Sequence, residues 1–118
     1  MSQTYRKSPF SGSLLVITGT ATADAEVDTY TIPENCQIVG FRAIKQAAVG
    51  ASGDTLTLKN GTDTVGQIDW NGVADKTPSV ALIDDDYWTL GLGDTISVTA
   101  AEASSVDSTY FIDLLLTD

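Results

Sequence analysis

Thr109-Tyr110-Phe111-Ile112-Asp113-Leu114-Leu115-Leu116 decides the fold. Successive side chains of a strand point to opposite faces, so Tyr110, Ile112, Leu114 and Leu116 share one face. Phe111, Asp113 and Leu115 share the other. The same alternation precedes it in Thr95 to Ala100, where Ile96, Val98 and Ala100 turn inward. Gly91-Leu92-Gly93-Asp94 turns the chain into that strand, and Glu102 to Ser108 is the loop between the two.

Working outward, strand patterns recur at short spacing between turn residues. Ser13 to Thr18 is the first. Val27 to Ile32 follows, with Val27, Thr29 and Thr31 on one face, and it stops at Pro33. Gln37 to Lys45 places Val39, Phe41 and Ala43 on one face and Ile38, Arg42 and Ile44 on the other. Thr55 to Lys59 turns Leu56 and Leu58 inward. Asn60-Gly61 then gives the two-residue hairpin composition that a type I′ turn favours. A two-residue loop there pairs Leu56 with Val65, a four-residue loop pairs Leu58 with Val65, and the return strand runs to about Trp70. Val80 to Ile83 and Tyr87 to Leu90 are short strands separated by Asp84-Asp85-Asp86, and Ala43 to Ala48 is the one stretch able to make a short helical turn. Eight or nine strands and no sustained helical period predict an all-β chain. Two antiparallel sheets packed as a jelly-roll or Greek-key sandwich bury all these alternating faces at once.

Composition agrees. Threonine, valine and isoleucine supply 33 of 118 residues, and their branched side chains suit a pleated surface. The length fits one domain: an arm over 1–12 and a sandwich over 13–118, with no repeat or linker. Sixteen acidic against six basic residues give a net charge of −10, so a phosphate backbone is an improbable partner. With no histidine and one cysteine, histidine-based catalysis, a cysteine-rich zinc site and a disulfide scaffold lack their raw material. Arg6 and Lys7 precede no apolar run of secretory length, and no stretch is long enough for a membrane helix. A lone Cys36 fits synthesis in a reducing interior, as a small side chain near a loop or core edge.

Four groups of residues invite a chemical role. Asp84-Asp85-Asp86 gathers carboxylates that a hard cation would favour, yet lacks the alternate spacing and glycine of known calcium loops, so a solvated loop is the expectation. Asp69 beside Trp70 and Asp86 beside Tyr87-Trp88 could be drawn as a sugar-cleaving pair, but nothing in their spacing singles them out, and no catalytic residue is assigned. Trp70, Tyr87 and Trp88, with Tyr110, could form an exposed aromatic face for carbohydrate, or else sit in the core or a subunit interface. In the arm, Tyr5, Arg6, Lys7 and Phe10 are candidates for contact with an acidic neighbour, either a second copy of the protein or another surface. Neither a cofactor nor a metal is expected.

From Leu90 to Leu116, the pattern Leu90-x-x-Gly93-Asp94-x-Ile96-x-Val98, a loop, and Ser108-Thr109-Tyr110-Phe111-x-x-Leu114-Leu115 resembles the closing hairpin of small viral and phage β-sandwich proteins. It also looks like the end of the trimeric jelly rolls of the tumour-necrosis-factor and C1q kind. Taken whole, with Asn60-Gly61 and Gly93-Asp94, the chain is similar to the capsid decoration, or cement, proteins of tailed bacteriophages. The resemblance implies a structural virion protein on the outer surface of an icosahedral capsid, tying neighbouring capsomers, with the major capsid protein as partner. It implies an oligomer, often a trimer, made in the host cytoplasm, and carries no site residues. The competing expectation is a carbohydrate- or receptor-binding module of a phage tail or fibre.

Overall fold

The computed structural model describes residues 12–22, 25, 27–46, 49–101 and 107–117. Among them nine strands and no helix are found: β1 (Leu14–Ala21), β2 (Val27–Thr31), β3 (Cys36–Lys45), β4 (Thr55–Asn60), β5 (Asp63–Asp69), β6 (Pro78–Val80), β7 (Thr89–Leu90), β8 (Thr95–Ala101) and β9 (Ser108–Leu116). One sheet runs β1-β9-β3-β6, with β7 also paired to β3, and the other runs β2-β8-β4-β5. Every strand pair is antiparallel. The chain crosses repeatedly from one sheet to the other, which makes a sandwich of the expected jelly-roll or Greek-key class.

The strand read first is the middle of its sheet. β9 pairs along its whole length with β1 on one side and β3 on the other. Its inward residues Tyr110, Ile112 and Leu114 are fully buried. Facing them, β8 contributes Ile96, Val98 and Ala100, and β4 contributes Leu56 and Leu58. The buried Tyr110 hydroxyl donates to Asp28 Oδ2 at 2.7 Å and is also hydrogen-bonded to the Tyr30 hydroxyl. A buried polar group stays cheap only when it is paired in this way. Gly19 lies opposite Tyr110 on β1, where a side chain would collide with that ring.

Two strands break the simple alternation. β3 pairs Ile38 with Leu114 and then Gly40 with Asp113, so Val39 is an extra residue in a β-bulge. The strand therefore changes phase: Cys36 and Ile38 point inward before the bulge, and Phe41, Ala43 and Lys45 after it. Val39, expected to share a face with Phe41 and Ala43, is instead 41% exposed. The hairpin of β4 and β5 departs similarly. Asn60 pairs with Asp63, so the two-residue loop is Gly61-Thr62, with φ +62° at Gly61 as the first central position of a type II′ turn requires. A bulge follows, because Lys59 pairs with Thr64 and Leu58 with Gly66. Val65 and Gly66 are consequently buried side by side, and neither expected pairing of Val65 forms.

The region 78–90 holds less strand than its sequence suggests. Only Pro78–Val80 and Thr89–Leu90 pair with β3. Asp84 N–H donates to the Val65 carbonyl of β5 at 2.8 Å and Asp86 N–H to Asp84 Oδ1 at 3.0 Å, so the first donor ties the segment to β5 and the second closes a turn. Ala43 to Lys45 belongs to β3, and no helical turn forms there.

Cys36 lies wholly inside the core. Burial, and secondarily the charge of Asp94, pushes its thiol from its ordinary value of 9.0 up to about 11. The folded state thus holds the thiol proton more tightly than the unfolded state, and this contribution is lost as pH rises from 9.0 through about 11. A disulfide-exchange reagent at pH 8 is expected to label Cys36 only after denaturation; stoichiometric labelling of the native protein would refute its burial. For the core, Leu114→Ala should cost about 2–5 kcal/mol in chemical denaturation, and Val80→Ala, at a 74% exposed site, less than about 0.5 kcal/mol. Deleting residues 110–118 removes the middle strand, and a soluble product with a cooperative melt would contradict this topology.

Candidate docking surface

Because the inward face of β9 is committed to the core, its outward residues form the spine of an outer face. Register sets that face out in rows. Leu14, Leu115 and Gln37 are neighbours across β1, β9 and β3 in the first row, and Val16, Asp113 and Gly40 in the second. Thr18, Phe111, Arg42 and Val80 form the third, and Thr20, Thr109, Ile44 and Pro78 the fourth. Leu14 is 63% and Val16 44% exposed, and Phe111, Leu115 and Ile44 are half-buried by their neighbours. Arg42 and Asp113 are the ionic residues in these rows.

Those two are joined. Arg42 donates from Nε to Asp113 Oδ2 at 3.1 Å and from Nη2 to Oδ1 at 3.2 Å, the two-point geometry in which guanidinium and carboxylate match. The guanidinium also lies over the Phe111 ring, 4.5 Å from its centroid. Hydrogen bonding to Asp113 raises the guanidinium pKa further, so Arg42 keeps its charge. Gly40 makes room for the pair, since a Cβ there would approach Asp113 Oδ2 to 2.6 Å.

The outer face of the second sheet differs in chemistry. Thr29 and Thr31 on β2, Ser97 and Thr99 on β8, and Thr55 and Thr57 on β4 give it a hydroxyl-rich surface. Asp69, opposite Thr55, is the acid on that face, and Asp63, Asp75, Asp84, Asp85, Asp86, Asp94 and Asp107 are exposed in turns or at strand ends. A molecule of strongly acidic balance therefore carries one face on which acid and base cancel.

At the corner of that face a groove of about 330 Å³ is lined by Ser13, Leu14, Leu15, Pro33, Glu34 and Leu116. The chain enters the domain here: Gly12 N–H donates to the Leu116 carbonyl at 2.7 Å, and Leu116 N–H to that of Ser13 at 2.8 Å. The contact candidates Tyr5, Arg6, Lys7 and Phe10 lie outside the described residues.

The other sequence candidates are dispersed. Trp70 is 1% exposed and packs in the core, and Tyr110 is likewise buried, which corrects the expectation of an exposed face containing Trp70. Tyr87 is exposed, and Trp88 is half-buried against the core. Asp84, Asp85 and Asp86 place one oxygen each within 4.8 Å of the others, fully at the surface, where water screens them. Asp69 is not among the carboxylates gathered with Asp86; its own carboxylate accepts the Asn71 N–H at 2.9 Å. The residues that sequence reading did not single out are Arg42, Phe111 and Asp113. Their signal was present in β9, whose outward positions include Phe111 and Leu115, where a solvated face would carry polar residues.

No protein-family model matches the sequence, and no curated protein matches it. Solved structures do. A chain of the acid-stable capsid of Helicobacter pylori bacteriophage KHP30 is similar with a TM-score of 0.65 at 13% identity, over 96% of this chain and 95% of that one. A chain of the capsid asymmetric unit of cyanophage Pam1 is similar with a TM-score of 0.55 at 15% identity, over 98% and 94%. A subunit of the Bacillus endospore appendages, described as disulfide-linked pili, reaches 0.50 at 14% identity, over 100% and 96%. The shared property is the fold, end to end.

Proposed function

We propose that this chain is a structural, non-enzymatic virion protein that binds the outer surface of an icosahedral phage capsid and reinforces contacts between capsomers. The observation that carries the reading is the whole-length match of its fold to chains of two phage capsids. A shared fold alone does not fix a function, but the surface agrees with the assignment. Apolar side chains and a neutralised ion pair occupy one outer sheet face, which suits a protein–protein contact within an assembly. The two groups whose titration is displaced furthest, Cys36 and Tyr110, are buried among core side chains, where they serve packing rather than turnover. The sheet orders β1-β9-β3-β6 and β2-β8-β4-β5 support a jelly-roll reading of the sandwich.

The partner in this reading is the major capsid protein, and the site of action is the capsid exterior after synthesis in the host cytoplasm. An acidic surface suits a position away from packaged DNA. A pilus-type role built on disulfides is disfavoured, because the single cysteine of this sequence is fully buried. A sugar-binding module is disfavoured by Trp70, which would have anchored the aromatic platform and lies in the core.

Sedimentation with purified capsids tests the proposal. The chain is expected to pellet with capsids that lack it and to raise the temperature at which they release DNA. A chain that stays in the supernatant at saturating capsid would overturn the reading. Glycan binding abolished by Trp88→Ala would favour the tail or fibre module in its place.

A further inference from the structure

We infer that the outer face of the β1-β9-β3-β6 sheet is a two-fold contact with a second copy of this chain, in which the Arg42–Asp113 pair of each copy lies against that of the other. The argument begins with charge. Two copies each carrying −10 repel when their acidic turns meet. On this face that cost does not arise, because its one carboxylate, Asp113, is already held by its one cation, Arg42.

The pair is also self-complementary. A cation and an anion side by side form a dipole in the plane of the sheet. A two-fold axis lying in the contact plane, perpendicular to that dipole, turns the second face onto the first with its dipole antiparallel, which brings each guanidinium toward the carboxylate of the other copy. A guanidinium has five N–H donors in a planar fork, enough to bridge two carboxylates. Phe111 supports the guanidinium from below, so its charge sits at the height of the contact.

Around this centre the side chains suit burial. Leu14 and Val16 on β1 and Val80 on β6 are exposed although apolar, and they flank the ion pair on both sides. Apolar side chains on both flanks of a paired charge shield it from water once a second surface covers them. The occupant is a second copy because the centre matches itself; a capsid surface would need an independently matched pair.

Sedimentation equilibrium of the full chain, with no capsid present, tests this apart from the capsid reading. The parent chain is expected to be a dimer at micromolar concentration. Arg42→Glu makes the centre doubly negative and Asp113→Lys makes it doubly positive, so each variant alone should weaken dimerisation at least about tenfold while still melting cooperatively. Mixed one to one, the two variants should form the heterodimer. Val16→Glu, at an already exposed site, should also give a monomer. A parent that sediments as a monomer or a trimer overturns the inference, as does a variant that dimerises like the parent or a mixture that fails to pair. If the parent is a monomer and the same substitutions abolish capsid pelleting, the face belongs to the capsid and only this inference fails.

Discussion

Burial of the inward face of β9 under the second sheet is the contact on which the remaining structure rests. Tyr110, Ile112 and Leu114 are fully enclosed, and burying each large apolar side chain contributes about 1.5–3 kcal/mol. Because β9 is the middle strand, its place also fixes β1 and β3, and through β3 the short strands β6 and β7. The consequence at the surface is geometric. Once the even-numbered residues of β9 are committed inward, Phe111, Asp113 and Leu115 must face out, and their neighbours are dictated by register. The core and the candidate docking face are two sides of one alternation.

Polar groups inside that core are few and specifically placed. Tyr110 reaches across the sandwich to Asp28 and Tyr30 on β2, a strand of the opposite sheet. An aromatic ring thus fills core volume while its hydroxyl joins the two layers, and this sets their separation at that point. Gly19 and Gly40 show the same economy of space: each leaves room for a side chain of β9, one inside the sandwich and one outside.

The fold was legible because the decisive signal is local. Alternation in β8 and β9, turn residues at Gly91 to Asp94, and the absence of any helical period specify strands without knowledge of their partners. The failures arose where the backbone adds a residue. Val39 and Val65 look like ordinary strand members, and nothing in their side chains announces a bulge, since the extra residue is accommodated by pairing that only the neighbouring strand defines. The docking face was half legible. Phe111 and Leu115 were visible as outward apolar residues, but Arg42 and Asp113 lie 71 positions apart and meet only after β3 has paired with β9. Trp70 stayed open between core and surface for a related reason: an aromatic residue at a strand end carries no local mark of inside or outside.

The bulges bear on how such chains are compared. Each one inverts the in–out parity of its strand, so two homologous strands that differ by one bulge align residue for residue with their faces exchanged. Hydrophobic positions then oppose polar ones although the backbones superpose. Scores built on residue similarity fall quickly under that mismatch, whereas the path of the main chain is hardly altered. A sandwich with phase changes at Val39 and Val65 is therefore the kind of architecture in which likeness of fold is visible by superposition where letters do not agree.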